Sequence, residues 1–120
     1  MARILIMDDS EIVLAIAGNA LTRACQTIAT ATTFAELSER IEGPEFDLIL
    51  MDVQLPELYG DDVAGVLRHT RAIKGRIYLY SSLEVDQLAT RTVEAGLDGY
   101  ISKGDGVEEM VAKVRAILAG

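Results

Sequence analysis

Five short runs rich in Ile, Leu, Val or Tyr alternate along the chain with segments whose apolar residues recur at helical spacing. The runs are RILIM at 3–7, QTIATA at 26–31, FDLILM at 46–51, RIYLY at 76–80 and DGYIS at 98–102. Nearly continuous apolar runs of this length suit strands buried on both faces, so a parallel sheet with covering helices is expected. QTIATA fits least well, because Thr and Ala dilute it. Right-handed crossovers then place helices on both sides of one open sheet, giving a doubly wound α/β domain with β-α five times over. In such sheets ligands bind beyond the carboxyl ends of the strands, near the point where strand order reverses.

The segments between the runs carry helix signals. Thr33 and Glu36 have capping-box spacing ahead of Ala35, Leu37 and Ile41, and Gly43-Pro44 should end that helix. Asp61 and Asp62 favour a helix start through its positive end, and Gly96 should close the following helix. In the last segment Val107, Met110, Val111, Val114, Ile117 and Leu118 recur at three- and four-residue steps. The first helix, from Ser10 to about Cys25, has more apolar surface than one core face needs. Val13, Ala17, Ala20, Leu21 and Ala24 form one stripe, and Ile12 and Ile16 fall on its flank, which should be partly exposed. That flank is either a docking surface or covered by a neighbouring loop.

At 120 residues, one domain over 1–120 is expected, large enough to bury a core without disulfides or a structural metal. The formal net charge of -8 argues against direct binding of nucleic acid or anionic lipid. Cys25 cannot form an internal disulfide and, among Leu21, Ala24 and Ile28, reads as packing. The amino terminus MARILIMDDS is neither a signal peptide nor a membrane span, and the later run from Ile12 to Ala17 is also too short to insert in a membrane. A cytoplasmic protein is expected.

Four of the five runs end in chemistry: Asp8 and Asp9 after the first, Asp52 after the third, Ser81 and Ser82 after the fourth, Lys103 after the fifth. Each has an ordinary explanation taken alone. Asp9 or Ser10 could cap the first helix, and Ser81 with Glu84 repeats the capping-box spacing. Lys103 could be a solvated loop lysine and Asp52 a turn residue before Pro56. Their convergence on one edge outweighs these readings. Three clustered carboxylates repel one another unless a cation neutralises them, and a hard divalent ion such as Mg²⁺ suits oxygen ligands and a phosphate oxygen. A phosphoryl group brought there would find the Ser81 hydroxyl to donate to it, the Lys103 ammonium to neutralise it and a carboxylate to attack it.

With these residues the chain resembles the receiver domain of bacterial two-component response regulators, from Ile4 to about Leu118. The motifs are Asp8-Asp9, then Asp52 followed by Pro56 and Gly60, then Ser81, then Tyr100 and Lys103. The resemblance implies the flavodoxin-like (βα)5 fold with strand order 2-1-3-4-5. It implies that Asp52 accepts phosphoryl from a sensor histidine kinase or phosphotransfer protein, and that Asp8, Asp9, Asp52 and the backbone carbonyl of Gln54 hold Mg²⁺, Asp8 through water. Ser81 and Lys103 match the family's hydroxyl and lysine, and Tyr100 its switch aromatic. It implies too that the first helix docks the kinase, and that a downstream protein reads the fourth helix, fifth strand and fifth helix. No output segment follows within the sequence, so a single-domain regulator or phosphorelay shuttle is expected.

Three positions depart from or vary within the family pattern. Gly104 follows Lys103 where most members have a cis-proline, so a trans and looser loop is expected. Gln54 and Leu83 occupy the variable positions that tune phosphate lifetime. Leu83 cannot polarise an attacking water, so self-dephosphorylation should be slow; an unchanged lifetime with an acidic residue at 83 would count against this. Three other readings compete. A phosphorylation-independent interaction module on this fold would not need all five groups. An Mg²⁺ phosphohydrolase usually needs a second acid two residues after the nucleophile, where Gln54 stands. A flavin-binding domain would need a phosphate loop after the first strand. His69 is alone and reads as a surface or packing residue. No enzymatic activity beyond its own phosphorylation and slow dephosphorylation is expected.

Overall fold

The computed structural model describes residues 2–24 and 26–120. Cys25, expected to pack inward, lies outside them. The five apolar runs form β1 (Arg3–Met7), β2 (Thr27–Ala31), β3 (Leu48–Met51), β4 (Arg76–Ser81) and β5 (Gly99–Ser102). They alternate with α1 (Glu11–Arg23), α2 (Phe34–Glu42), α3 (Gly60–His69), α4 (Val85–Ala95) and α5 (Val107–Ala119). All strand pairs are parallel, and the sheet order is β2-β1-β3-β4-β5. The order reverses at β1, which leaves β1 and β3 side by side.

Side chains of period two divide the strands between two cores. Leu5, Met7, Ile49 and Met51 face one core, closed by Leu37 of α2, Ala64 and Leu67 of α3 and Leu88 of α4. Ile4, Ile6, Leu48 and Leu50 face the other, closed by Leu14, Ala17 and Leu21 of α1 and Met110 and Val114 of α5. Every residue of β3 is buried, which accounts for the unbroken apolar run in its sequence.

The helix ends follow the sequence in part. The Ser10 hydroxyl, not Asp9, caps α1 by accepting the Val13 N–H at 3.3 Å. Thr33 caps α2 through the Glu36 N–H at 3.2 Å, but the Glu36 carboxylate turns to Thr32 instead of completing a reciprocal box. Gly96 ends α4 in the left-handed conformation at φ 69°, where a glycine costs least. The capping box read at Ser81 and Glu84 does not form. Ser81 is still in β4, and α4 starts only at Val85 after Glu84, with no side-chain cap.

On α1 the buried face is Leu14, Ala17, Ala20 and Leu21, while Val13 and Ala24 lie at its margin. Leu14 was not part of the stripe read from the sequence. Ile12 and Ile16 are 73% and 53% exposed, so no loop covers them among the described residues. No helix among the described residues is long and apolar enough to cross a membrane.

Candidate functional site

Register builds the site. Met7 is paired with Met51 at the ends of β1 and β3, so the next residues, Asp8 and Asp52, leave the sheet side by side. Backbone bonds fix both: Asp52 N–H donates to the Met7 carbonyl at 3.0 Å, and Asp8 N–H to the Ala31 carbonyl at 3.1 Å. Both carboxylates are buried, whereas Asp9 is exposed. Oxygens of Asp8, Asp9 and Asp52 lie within 4.8 Å of one another. This all-oxygen donor set is of the kind that holds a hard divalent cation.

Lys103 comes from the far end of the sheet to meet them. Its Nζ donates to Asp8 Oδ2 at 2.5 Å and lies 3.6 Å from Asp52 Oδ2. The other Asp8 oxygen accepts the Ser10 N–H at 2.9 Å. Lys103 opens a single 3-10 turn, Lys103–Asp105, in which the Ser102 hydroxyl accepts the Gly104 N–H at 3.2 Å. No cis peptide occurs among the described residues, so the Lys103–Gly104 bond is trans as expected.

Burial pushes the Asp52 carboxyl above its ordinary range; the Lys103 ammonium pulls it down, the Asp8 carboxylate pushes it up, and the N–H groups of Val53 and Gln54 pull it down. One cation beside three carboxylates leaves the cluster short of positive charge.

The loop after Asp52 turns back under tight constraint. Gly60 N–H donates to the Val53 carbonyl at 2.8 Å, and a Cβ at Gly60 would sit 1.6 Å from the Asp52 carbonyl oxygen. Gln54 is exposed and pairs with Tyr59 across this loop. Ser81 is fully buried at the end of β4, and its Oγ accepts the Leu83 N–H at 3.3 Å. Leu83 and Tyr100 are half-buried and pack on the core beneath α2, α3 and α4. His69 takes no part: it is exposed on α3, with Nε2 3.1 Å from the Ala95 carbonyl oxygen.

Two features of this region escaped the sequence reading. Tyr80 is 5% exposed, and the Lys103 ammonium lies 5.5 Å from its ring centre. Burial, with a contribution from Asp8, pushes its hydroxyl above the usual range. Asp61, read only as a helix-start charge, is buried and accepts Arg91 Nη1 on both oxygens at 3.1 Å. The Arg91 guanidinium in turn lies 5.0 Å from the centre of the Tyr59 ring.

The response regulator receiver domain profile matches residues 4–115. The chain belongs to this family. As a receiver domain it is 32% identical over 114 residues to the gliding motility regulatory protein of Myxococcus xanthus, spanning 93% of this chain and 15% of that protein. It is 31% identical over 127 residues to the response regulator GacA of Pseudomonas viridiflava, spanning 100% of this chain and 56% of that protein. It thus covers little more than half of the one relative and a small part of the other. Its fold is that of a two-component response regulator from Clostridium difficile, with a TM-score of 0.89, 24% identity, and 99% and 97% of the two chains covered. The doubly wound (βα)5 architecture expected from the strand pattern is therefore the architecture found.

Proposed function

We propose that this receiver domain, as one unit over 1–120, is a phosphorylation-dependent switch. It accepts a phosphoryl group on Asp52 from the phosphohistidine of a sensor histidine kinase or phosphotransfer protein, and the aspartyl phosphate changes which protein it binds. The observation that carries this reading is the Lys103 ammonium shared between Asp8 and Asp52 within a three-carboxylate cluster. Nothing in a merely structural strand end calls for that arrangement.

Asp8, Asp9, Asp52 and the Gln54 carbonyl are the groups that would hold Mg²⁺, whose role when bound is to neutralise negative charge on the phosphoryl oxygens. An Asp52 oxygen attacks phosphorus as the bond to the donor nitrogen breaks. The electron pair leaves with the imidazole, which takes up a proton. Lys103 then exchanges part of its contact with Asp8 for a phosphoryl oxygen. Ser81 Oγ, already accepting from Leu83, has its own proton free to donate to another. Tyr100, half-buried at the end of the sheet, would carry the change outward by moving its ring. Gln54 offers no carboxylate to activate water, so the adduct is held and the domain is not a hydrolase.

Intact mass spectrometry after incubation with acetyl phosphate, with and without Mg²⁺, tests this. Wild type should gain one phosphoryl mass only with Mg²⁺, and Asp52→Asn should gain none. Steady phosphate release without an adduct would favour the hydrolase instead; wild type that neither forms an adduct nor releases phosphate points to the phosphorylation-independent module.

Ile12 and Ile16 are the proposed docking surface for the donor, because they are exposed on α1 beside the acidic cluster. Changing both to Ser should slow phosphotransfer from a cognate kinase by roughly tenfold, the loss of a buried apolar contact. Labelling by acetyl phosphate should be unaffected; equal slowing of both would mean the fold, and not docking, had been damaged.

A further inference from the structure

We propose that Tyr80 is a positioning residue for Lys103, its ring face holding the ammonium over the acidic cluster. This rests on the phosphoacceptor reading above, and it concerns how this chain orients its lysine.

Lys103 has a long way to reach. It leaves β5, yet its ammonium binds Asp8 just beyond β1, and the sheet order puts β4 and β3 between those strands. The side chain therefore passes over the end of β4, where Tyr80 sits. The turn at its base contains Gly104 and is followed by Gly106; the Ser102 hydroxyl on the Gly104 N–H and the Gly106 N–H on the Lys103 carbonyl hold its main chain, but neither bond reaches the ammonium. What lies under the ammonium is the Tyr80 ring, with its centre 5.5 Å from Nζ.

Tyr80 packs in the core beneath α1 and α5 and cannot swing into solvent. A cation over a buried aromatic face is attracted more strongly than one at the surface, because water competes less. The contact also differs in kind from the two carboxylate contacts. A ring face attracts a cation over a broad area, so Lys103 can move from Asp8 toward a phosphoryl oxygen without leaving it.

The competing explanation is that Tyr80 only fills the core, and a double-mutant cycle separates the two. The rate of adduct formation with acetyl phosphate and Mg²⁺ is measured for wild type, Tyr80→Phe and Tyr80→Leu, each with Lys103 and with Lys103→Ala. Tyr80→Phe should stay within about twofold of wild type, and Tyr80→Leu should be roughly tenfold slower. In the Lys103→Ala background Tyr80→Leu should cost nothing further. An equal loss in both backgrounds, or no loss with Lys103 present, overturns the proposal. Should Tyr80→Leu fail to fold, stepwise fluorination of a phenylalanine placed at 80 keeps the shape while weakening the ring's negative face. The rate should then fall with each fluorine, and a flat series overturns the proposal. Wild type that takes no phosphoryl group overturns both this and the phosphoacceptor reading, whereas wild type that takes it while the Tyr80 variants behave as packing changes overturns this alone.

Discussion

The two ends of the sheet both carry charge, but they use it differently. At the amino-terminal end the charges bind backbone. Asp47 accepts the Arg3 N–H at 2.8 Å, and Arg68 donates to the carbonyls of Ile73 and Gly75 at 2.7 and 2.9 Å. Asp98 accepts both Arg68 and the Ile77 N–H, and Arg76 donates to the Ile117 carbonyl. At the carboxyl-terminal end Asp8, Asp9 and Asp52 face one another with Lys103 as the cation among them. The amino-terminal end also has an open cleft of about 710 Å³, lined by Gln26, Asp47 and Lys74 among others. Size would favour that cleft, yet its Asp47 and Arg76 already bind backbone groups, and among the described residues Asp8, Asp9 and Asp52 are the cluster that could hold a metal ion. Unneutralised charge on a rigid edge is the better guide to function than empty space.

Removing one cation from each end should break the two in different ways. Lys103→Ala should slow phosphorylation by acetyl phosphate by about a hundredfold, the usual scale for losing one preorganised charge at a reacting group. Arg68→Ala should leave that rate unchanged. It should instead lower stability by about 2–3 kcal/mol in urea unfolding, because it strips partners from two carbonyls and the Asp98 carboxylate. Similar rate losses in both variants would erase the distinction between the ends.

A pair of glycines sharpens the comparison. A Cβ at Gly60 would meet the Asp52 carbonyl oxygen at 1.6 Å, and one at Gly75 would meet the Phe46 carbonyl oxygen at 2.2 Å. Either Gly→Ala change must push backbone aside and should cost about 1–3 kcal/mol. Only Gly60→Ala displaces the acceptor, so only it should also slow adduct formation once compared at equal folded fraction.

The difference between the ends also explains what the sequence could reveal. Strand identity was legible because burial on both faces leaves unbroken apolar runs such as LILM, and the residues ending those runs named the acidic cluster, Ser81 and Lys103. Contacts between distant elements were not legible. Ser81 and Glu84 have capping spacing, but the strand extends through Ser81 and the helix starts late. Tyr80 reads as one more apolar strand residue, and only the path of Lys103 across β4 gives its ring a partner. Asp61 looks like a helix-start charge until α4 brings Arg91 against it. Leu14 escaped the stripe on α1 because the helix face was centred slightly away from where the sheet lies.

Exchanging a carboxylate for an amide at each end should shift stability in opposite directions. Burial raises the Asp52 carboxyl above its ordinary range, so the folded protein holds that proton more tightly than the unfolded chain. Its contribution to stability is therefore full below the unfolded value and is lost as pH rises through the folded one. Asp52→Asn carries no titrating proton there, so without Mg²⁺ it should melt higher than wild type at neutral pH, and the gap should close as the pH is lowered. Asp98→Asn should instead melt lower, since the amide is a poorer acceptor for Arg68 and the Ile77 N–H. Millimolar Mg²⁺ should then raise the melting point of wild type and leave Asp52→Asn nearly unmoved, because only the intact cluster gains by binding the ion. A parallel Mg²⁺ response in both proteins would place the cation elsewhere than at Asp52.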